Sequence, residues 1–594
     1  MSVFGTIIDR SMNCLPDSGW TSPPMPGAGE DAGNIFRRTD VTPSVNSSES
    51  VDDALQTWEN QALCVADQAS GRASASPESV SALLRWAQAE VIAGREDMAT
   101  AAASKALDLL LEREGQGFLA VAAIRILETS SSPEYAESYL RKFPQTDEIK
   151  LERARLATER GQYGEVLDLL TVSQLPRAHY YRGFAHIQLG NNAAAIREFR
   201  SARNSGVETA EVLGAMAYGY WRLGSQRKAL SAALQASRLS PGRRDLSLML
   251  MEFLFLAGKH SVLRNEISAV KARKVQETAD FILIQARLAF AEGHTSRGHK
   301  LLRRVVTVAE AERDELLASE ARGNCDILDW LAGKLSADQL TRRLRRLCET
   351  FPQSITLNIL LADASQSLTI APYLRENFIS IQESGLAGVA ELAPLAARIA
   401  YLECDFAGAQ VAAVEWAKLH PMDPDAASAA IMMTGEILDD WSTAAALAVY
   451  AIKRLPLTPT LANNAAYAMA FGGRLREAEE LLHEKWQDQY IIQATRGLLK
   501  LVDGDFDAGT ALYRRAAELA DRSKDGVESR ALMACHQVMT FNRLGMMESV
   551  EKERLRALSL PSTPLPDDWE RKPSFQLIRF MAEKHGWGWP LAVD

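Results

Sequence analysis

The chain has 594 residues, of which 47% are hydrophobic and 24% charged, enough apolar material for a sizeable core, which excludes disorder over the whole length. Its net charge of −10 disfavours a protein built along its full length to hold phosphate backbones. Six scattered cysteines, none in a CxxC pair, exclude a disulfide scaffold and predict a reducing, cytoplasmic setting.

In chain order, the apolar stretch Val3 to Ile8 has no basic segment before it, so no cleaved secretory signal is predicted. Residues 1–50 are rich in Ser, Pro, Gly and Asp, show no sustained period and are read as a disordered tail. Gly27, Gly29 and Gly33 within it lack the spacing and the preceding strand of a dinucleotide-binding turn. From Val51 onward, apolar residues recur at i, i+3, i+4 and i+7 and are interrupted every dozen or so positions by Gly, Asp or Pro. That pattern predicts helix, turn, helix, and an all-α chain. The longest apolar stretch, Leu246 to Ala257, is broken by Ser247 and Glu252 and falls short of the roughly 20 residues of a membrane span.

The spacing of the turns is the strongest signal. The apolar segments ending at Gly190, Gly224 and Gly258 close at glycines 34 residues apart, twice. Glycine there can take the left-handed conformation that ends one helix and lets the next fold back. Further turns are placed at Gly94, Gly161, Gly293, Gly333, Gly473, Gly504 and Gly545, with Cys404 and Asp439 in the same slot and one slot near 370 unassigned. Small and aromatic residues follow the same period. Gly183, Gly190, Ala195, Phe199 and Ala202 stand in one unit, and Ala217, Tyr220, Gly224, Ala229, Ala236 and Pro241 in the next. Ala409 and Pro421, then Ala444, Ala451 and Pro456, then Ala478, and then Gly497, Gly504, Tyr513 and Ala516 repeat the order more weakly.

On these residues the chain resembles the tetratricopeptide repeat family, whose unit is a pair of antiparallel helices about 34 residues long. The resemblance implies a right-handed α-solenoid of about 13–14 helix-turn-helix repeats. The expected organisation is a tail at 1–50, a first array at 51–300, degenerate repeats or an insertion at 301–394, a second array at 395–560, and a cap with a Trp-containing tail at 561–594. It also implies that first helices line a concave groove where a client segment lies. Carried over residue by residue, the protein-binding groove is Arg177, Tyr180, Tyr181, Phe184, Gln188, Tyr218, Trp221, Arg222 and Arg287, with Glu252, Phe255 and Phe290 beside them. Aromatic and Arg side chains are frequent interface anchors, because they bury large rigid area. The Lys and Asn by which some members clamp a terminal carboxylate are replaced here by Tyr180 and Phe184.

No catalytic constellation has the needed spacing: HExxH, GxSxG and GxxxxGK[ST] are all missing from the sequence. Gly258-Lys259 and Gly333-Lys334 stand in turns without the rest of a phosphate loop, and His294 and His299 are five apart, off a common helical face. Cys535 and His536 are adjacent, so on a helix they point about 100° apart. No metal and no cofactor is predicted. Residues 171–350 hold 28 Lys or Arg against 18 Asp or Glu, with Arg197, Arg200, Arg203, Arg227, Lys228, Lys300, Arg303, Arg304 and the quartet Arg342, Arg343, Arg345, Arg346 on second helices. They are read first as a solvated outer face and second as a surface for an anionic partner.

The expectation is therefore a non-enzymatic scaffold or adaptor with a protein or peptide client, no membrane span, and nucleic acid disfavoured. The alternatives are a regulatory or secretion-linked chaperone and an RNA-binding or anionic-partner-binding helical repeat.

Overall fold

The computed structural model describes residues 51–587 apart from 114–116, 208, 273–276, 366–367, 385–386, 522–525 and 547–571. The reading of residues 1–50 as a disordered tail lies outside the described residues, as does Trp589. The described residues are helical throughout, with no strand among them. They fall into two compact units that meet at Ala185 and His186.

The first unit holds α1 (Val51–Ala75), α2 (Val80–Ile92), α3 (Glu96–Leu111), α4 (Gly117–Ser130), α5 (Pro133–Lys142), α6 (Asp147–Glu159) and α7 (Tyr163–Leu170). Helix α8 (Pro176–Gln188) contains the boundary. The second unit continues with α9 (Asn192–Asn204), α10 (Thr209–Arg222), α11 (Gln226–Leu239), α12 (Arg244–Leu256), α13 (His260–Ala272), α14 (Ala279–Ala291) and α15 (Thr295–Ala311). Then come α16 (Glu315–Leu331), α17 (Ala337–Thr350), α18 (Ile355–Ser365), α19 (Ala371–Ser384), α20 (Val389–Leu402), α21 (Phe406–Leu419), α22 (Pro424–Leu438) and α23 (Trp441–Ile452). The last are α24 (Pro459–Phe471), α25 (Leu475–Leu481), α26 (Tyr490–Val502), α27 (Phe506–Asp521), α28 (Gly526–Arg543) and α29 (Pro573–Lys584). Within each unit the helices form successive antiparallel pairs, as in an α-solenoid, and from α2 to α27 even-numbered helices are first and odd-numbered ones second.

Each turn expected from the spacing has left-handed backbone. Gly94, Gly161, Gly190, Gly224, Gly258, Gly293, Gly333, Gly473, Gly504 and Gly545 all have positive φ, and so do Cys404 and Asp439 at 58°. The two non-glycine residues occupy a conformation that costs an L side chain about 1–2 kcal/mol, so the helix pairing overrides local preference at those slots. Second helices start at side-chain caps in several repeats: Asp405 accepts from the Gly408 amide, Asp440 from Thr443, and Ser336 forms a reciprocal capping box with Gln339. The 40-residue step from Gly293 to Gly333 comes from α15 and α16, each 17 residues long, and helix pairs run on through 301–394.

The two layers differ in burial. Every residue from Glu211 to Gly219 of α10 and from Ile355 to Ala362 of α18 is buried, whereas second helices bury one stripe and expose the other face. A helix buried on all sides belongs to the interior. Small residues set the spacing between paired helices: a Cβ on Gly497 would lie 3.0 Å from the Gly509 carbonyl oxygen, and one on Gly509 would lie 3.0 Å from that of Gly497. Beyond α28, helix α29 lays Phe575, Ile578 and Met581 on Cys535 and Met539.

Within the second unit the array also returns on itself. A Cβ at Gly190 would touch Leu419, one at Gly224 Pro421, and one at Gly258 Pro456. Turns of the repeats at 186–258 therefore pack on the inter-repeat loops that follow α21 and α23.

Candidate functional site

The residues expected to line a groove divide into two groups. In the first unit, Arg177, Tyr181 and Phe184 are half-buried on α8, and Tyr180 is buried. The Tyr181 ring lies 5.9 Å from Tyr180, and Phe184 lies edge-on to Tyr163 at 6.3 Å. Burial, and then the charge of Glu152, raises the Tyr181 pKa above the usual phenol value.

The second group is interior to its unit. Gln188 is buried where the chain comes round to Gly388, whose added Cβ would meet the Gln188 carbonyl oxygen at 2.9 Å. Trp221 is 1% exposed and stacked on Phe253 at 4.6 Å. Arg287 makes a bidentate pair with Glu252 at 2.6 and 2.7 Å and lies 4.4 Å from the Phe255 ring. None of Gln188, Tyr218, Trp221, Arg222 and Arg287 presents an open surface in this structure. Neighbouring repeats cover Trp221 and Arg287, and the returning part of the array covers Gln188 and Arg222.

Arg222 is the centre of that contact. Its Nη2 donates to Glu391 Oε1 at 2.5 Å and to Tyr218 Oη at 2.7 Å, and Nε donates to the same hydroxyl at 3.1 Å. Nη1 reaches the Leu419 carbonyl oxygen at 3.4 Å and the His420 ring. His420 Nε2 lies 2.7 Å from the Ala390 carbonyl oxygen, which can only accept, so the proton sits on Nε2, and Arg222 Nη1 stands against the ring edge, 3.0 Å from Nε2 and 3.3 Å from Nδ1. Burial, and then the Arg222 charge, pushes the His420 pKa down to about 3. This ring is neutral when folded.

That shift has a pH consequence with a definite sign. Because the folded pKa lies below the unfolded one, the stabilisation is complete above about 6.5 and is lost as pH falls from there toward 3. The loss is at most about 1.4 kcal/mol per pH unit. Urea midpoints measured between pH 7.5 and 4.5 should fall less steeply in His420→Gln, whose amide can still donate to Ala390. Parallel profiles for the two proteins would show that His420 does not govern this range.

Polar rungs of the same kind join neighbouring first helices. Arg125 pairs with Glu152 at 2.8 Å, Arg398 with Asp363 at 2.8 Å, and Ser354 donates to Glu320 at 2.8 Å. Near the end, Arg543 pairs with Glu436 at 2.6 Å and donates to the Tyr467 hydroxyl at 2.9 Å, with the Trp441 ring 4.8 Å away. Burial works against the Arg543 charge, but Glu436 and Tyr467 hold it more firmly protonated than usual. Sequence reasoning did not place Glu391, His420, Glu436 or Arg543. No spacing in the sequence marks them, because Glu391 and His420 lie 169 and 198 residues from Arg222 and Arg543 lies 107 from Glu436; only rungs one repeat apart, such as Glu252 with Arg287 and Asp363 with Arg398, recur at 35 residues.

The residues weighed for chemistry are not brought together. Cys535 is buried among Met539, Phe575 and Met581, and burial pushes its thiol pKa up, away from the nucleophilic thiolate. His294 is exposed at the start of α15, and His299 Nε2 lies 3.8 Å from Asp329. Among the described residues, no group of His, Cys, Asp and Glu is arranged to hold a metal ion, and no helix is long and apolar enough to cross a membrane. On the outer face, Arg197, Arg200, Arg203, Arg227, Lys228, Lys300, Arg303, Arg304, Arg342, Arg343, Arg345 and Arg346 are exposed. Several are paired, including Arg304 with Glu277 and Arg343 with Asp326.

No family profile and no curated protein sequence matches the chain. Among solved structures, it is similar to a tetratricopeptide repeat protein from Parabacteroides merdae, at 17% identity over 40% of this chain and 97% of that one, with a TM-score of 0.33. It is also similar to the APC/C hetero-tetramer Cut9–Hcn1, at 12% identity over 80% and 86% with a TM-score of 0.38. A third is yeast Tom70, at 13% identity over 64% and 96% with a TM-score of 0.26. The successive helix pairs, the left-handed turns at a period near 34 and the small residues between paired helices give this chain a helical-repeat fold of the kind seen in tetratricopeptide repeats.

Proposed function

We propose that the protein is a non-enzymatic scaffold or adaptor that holds segments of other proteins, with a client contact on α8. The observation that carries this reading is the face of α8 formed by Arg177, Tyr181 and Phe184. They stand at i, i+4 and i+7, so they share one side of the helix, and all three keep part of their surface open. Arg and aromatic residues in such a row suit a peptide laid across the helix, each anchor contributing about 2 kcal/mol when well buried by a partner. Free thiols at Cys64, Cys325 and Cys404, with Cys348 and Cys535 packed inside, support a reducing cytoplasmic setting.

The test is site-specific photocross-linking from position 181 in the full chain, in extract from the source cell. A discrete protein adduct is expected, and the same adduct should be lost when Arg177 and Phe184 are both replaced by Ala while the helical circular dichroism is unchanged. An adduct that survives the double replacement, or no adduct above that from a probe at exposed Ser231, overturns the assignment to α8.

A further inference from the structure

The return of the array creates a cleft between three pieces of chain: the start of α9, the turn after α10, and the end of α21. It has a volume of about 580 Å³, and Asn191, Asn192, Arg197, Leu223, Lys418 and Pro421 are in its wall. The sequence marks Arg197 on a face open to an anionic partner, but not the cleft, because Lys418 and Pro421 are far from it in the chain.

Its chemistry is mixed. Arg197 is exposed and has no ion pair among the described residues. Lys418 is largely exposed, with its Nζ 3.5 Å from Glu415, a distance at which a surface pair holds little energy. The N-cap residue Asn191 makes no side-chain capping bond, so the first-turn amides of α9 add a positive end to the same wall. Asn192 is only 9% exposed, and its Oδ1 has no hydrogen-bond partner. Apolar surface is present too: Leu223 in the wall is 43% exposed, and Leu189, one residue before Gly190, is 40% exposed.

The positive surface continues outward. Arg200 donates to the Tyr220 hydroxyl at 3.2 Å, and Lys228 stands 5.7 Å from the same ring, so the exposed faces of α9 and α11 meet around Tyr220. From Ile187 to Arg244 the chain carries nine Arg or Lys against three Asp or Glu.

We infer that this cleft docks an acidic, amphipathic segment of a partner protein. Carboxylates of the segment pair with Arg197 and Lys418 and face the open amides of α9. An apolar side chain of the segment covers Leu223 and Pro421. A polyphosphate backbone would use the cations and leave Leu223 and Leu189 uncovered. The inference rests on the reading that the protein holds protein segments, but at a place separate from α8.

The experiment uses the full chain and fluorescence anisotropy with a labelled octapeptide that alternates acidic residues with Leu. Comparators are octaglutamate, the same octapeptide with Lys for each acid, and a single-stranded oligoribonucleotide. The acidic Leu-containing peptide should bind more tightly than all three. Arg197→Glu with Lys418→Glu should weaken it by about tenfold or more, while Arg342→Glu with Arg346→Glu, on a separate basic stripe, should change it less than about twofold. The α8 variant lacking Arg177 and Phe184 should bind the peptide normally, so failure at α8 and failure here are read separately. The inference is overturned if no peptide binds, if octaglutamate or RNA binds as tightly, or if both charge-reversed pairs weaken binding alike.

Discussion

Ala229→Trp should lower the urea midpoint of the protein by the equivalent of about 3 kcal/mol or more, and Ala195→Trp should do the same. Both alanines are fully buried, on α11 and α9, at the faces turned toward the first helices. Methylenes added to a packed core typically cost about 1–3 kcal/mol, and an indole adds far more volume than a methylene. The neighbours on α10 cannot retreat, because every residue there from Glu211 to Gly219 is itself buried. Ser231→Trp, on the exposed face of α11, is the control and should shift stability by no more than about 0.5 kcal/mol. Equal midpoints for Ala229→Trp and the wild type would show that the pairing of α10 with α11 is set elsewhere.

Arg222→Met should destabilise by about 3–5 kcal/mol, because it leaves the Glu391 carboxylate buried without its cation and removes a donor from Tyr218. The cost comes mainly from the abandoned charge. Replacing both partners, as in Arg222→Met with Glu391→Met, should therefore recover most of the loss, to within about 1–2 kcal/mol of the wild type. Hydrogen exchange in the single variant should quicken at the end of α10 and the start of α20, which the Arg222–Glu391 pair joins. A double variant no more stable than the single one would mean that the ion pair adds stability of its own rather than compensating for its burial.

The repeat architecture was legible because it is written in local conformation. A first helix that folds straight back into its partner ends here in a residue that tolerates positive φ, and glycine marks most of those points between Gly94 and Gly545. Constancy of interval also located Cys404 and Asp439, which composition alone would have passed over. Arg313, at φ 60°, escaped because it sits between repeats, at the end of a helix lengthened to 17 residues, where neither glycine nor spacing marks it.

The face of α8 was legible for the same local reason: Arg177, Tyr181 and Phe184 share a side of one helix whatever lies beyond it. The fate of Trp221 and Arg222 was not. Their covering partners, Glu391 and His420, lie 169 and 198 residues further on, a separation set by how tightly the stack coils, which no repeat encodes by itself. The same limit hid the cleft at Arg197, whose far wall includes Lys418.

That separation has a consequence for biosynthesis. A ribosome adds about 5–20 residues per second, so Arg222 leaves the exit tunnel roughly 10–40 s before His420 does. Through that interval Tyr218, Arg222 and the turns at Gly190 and Gly224 have nothing to cover them, and a nascent chain would expose a surface that the mature protein hides. Nascent-chain helpers would find their substrate there, and synonymous codon changes that slow translation between 225 and 390 would lengthen their opportunity.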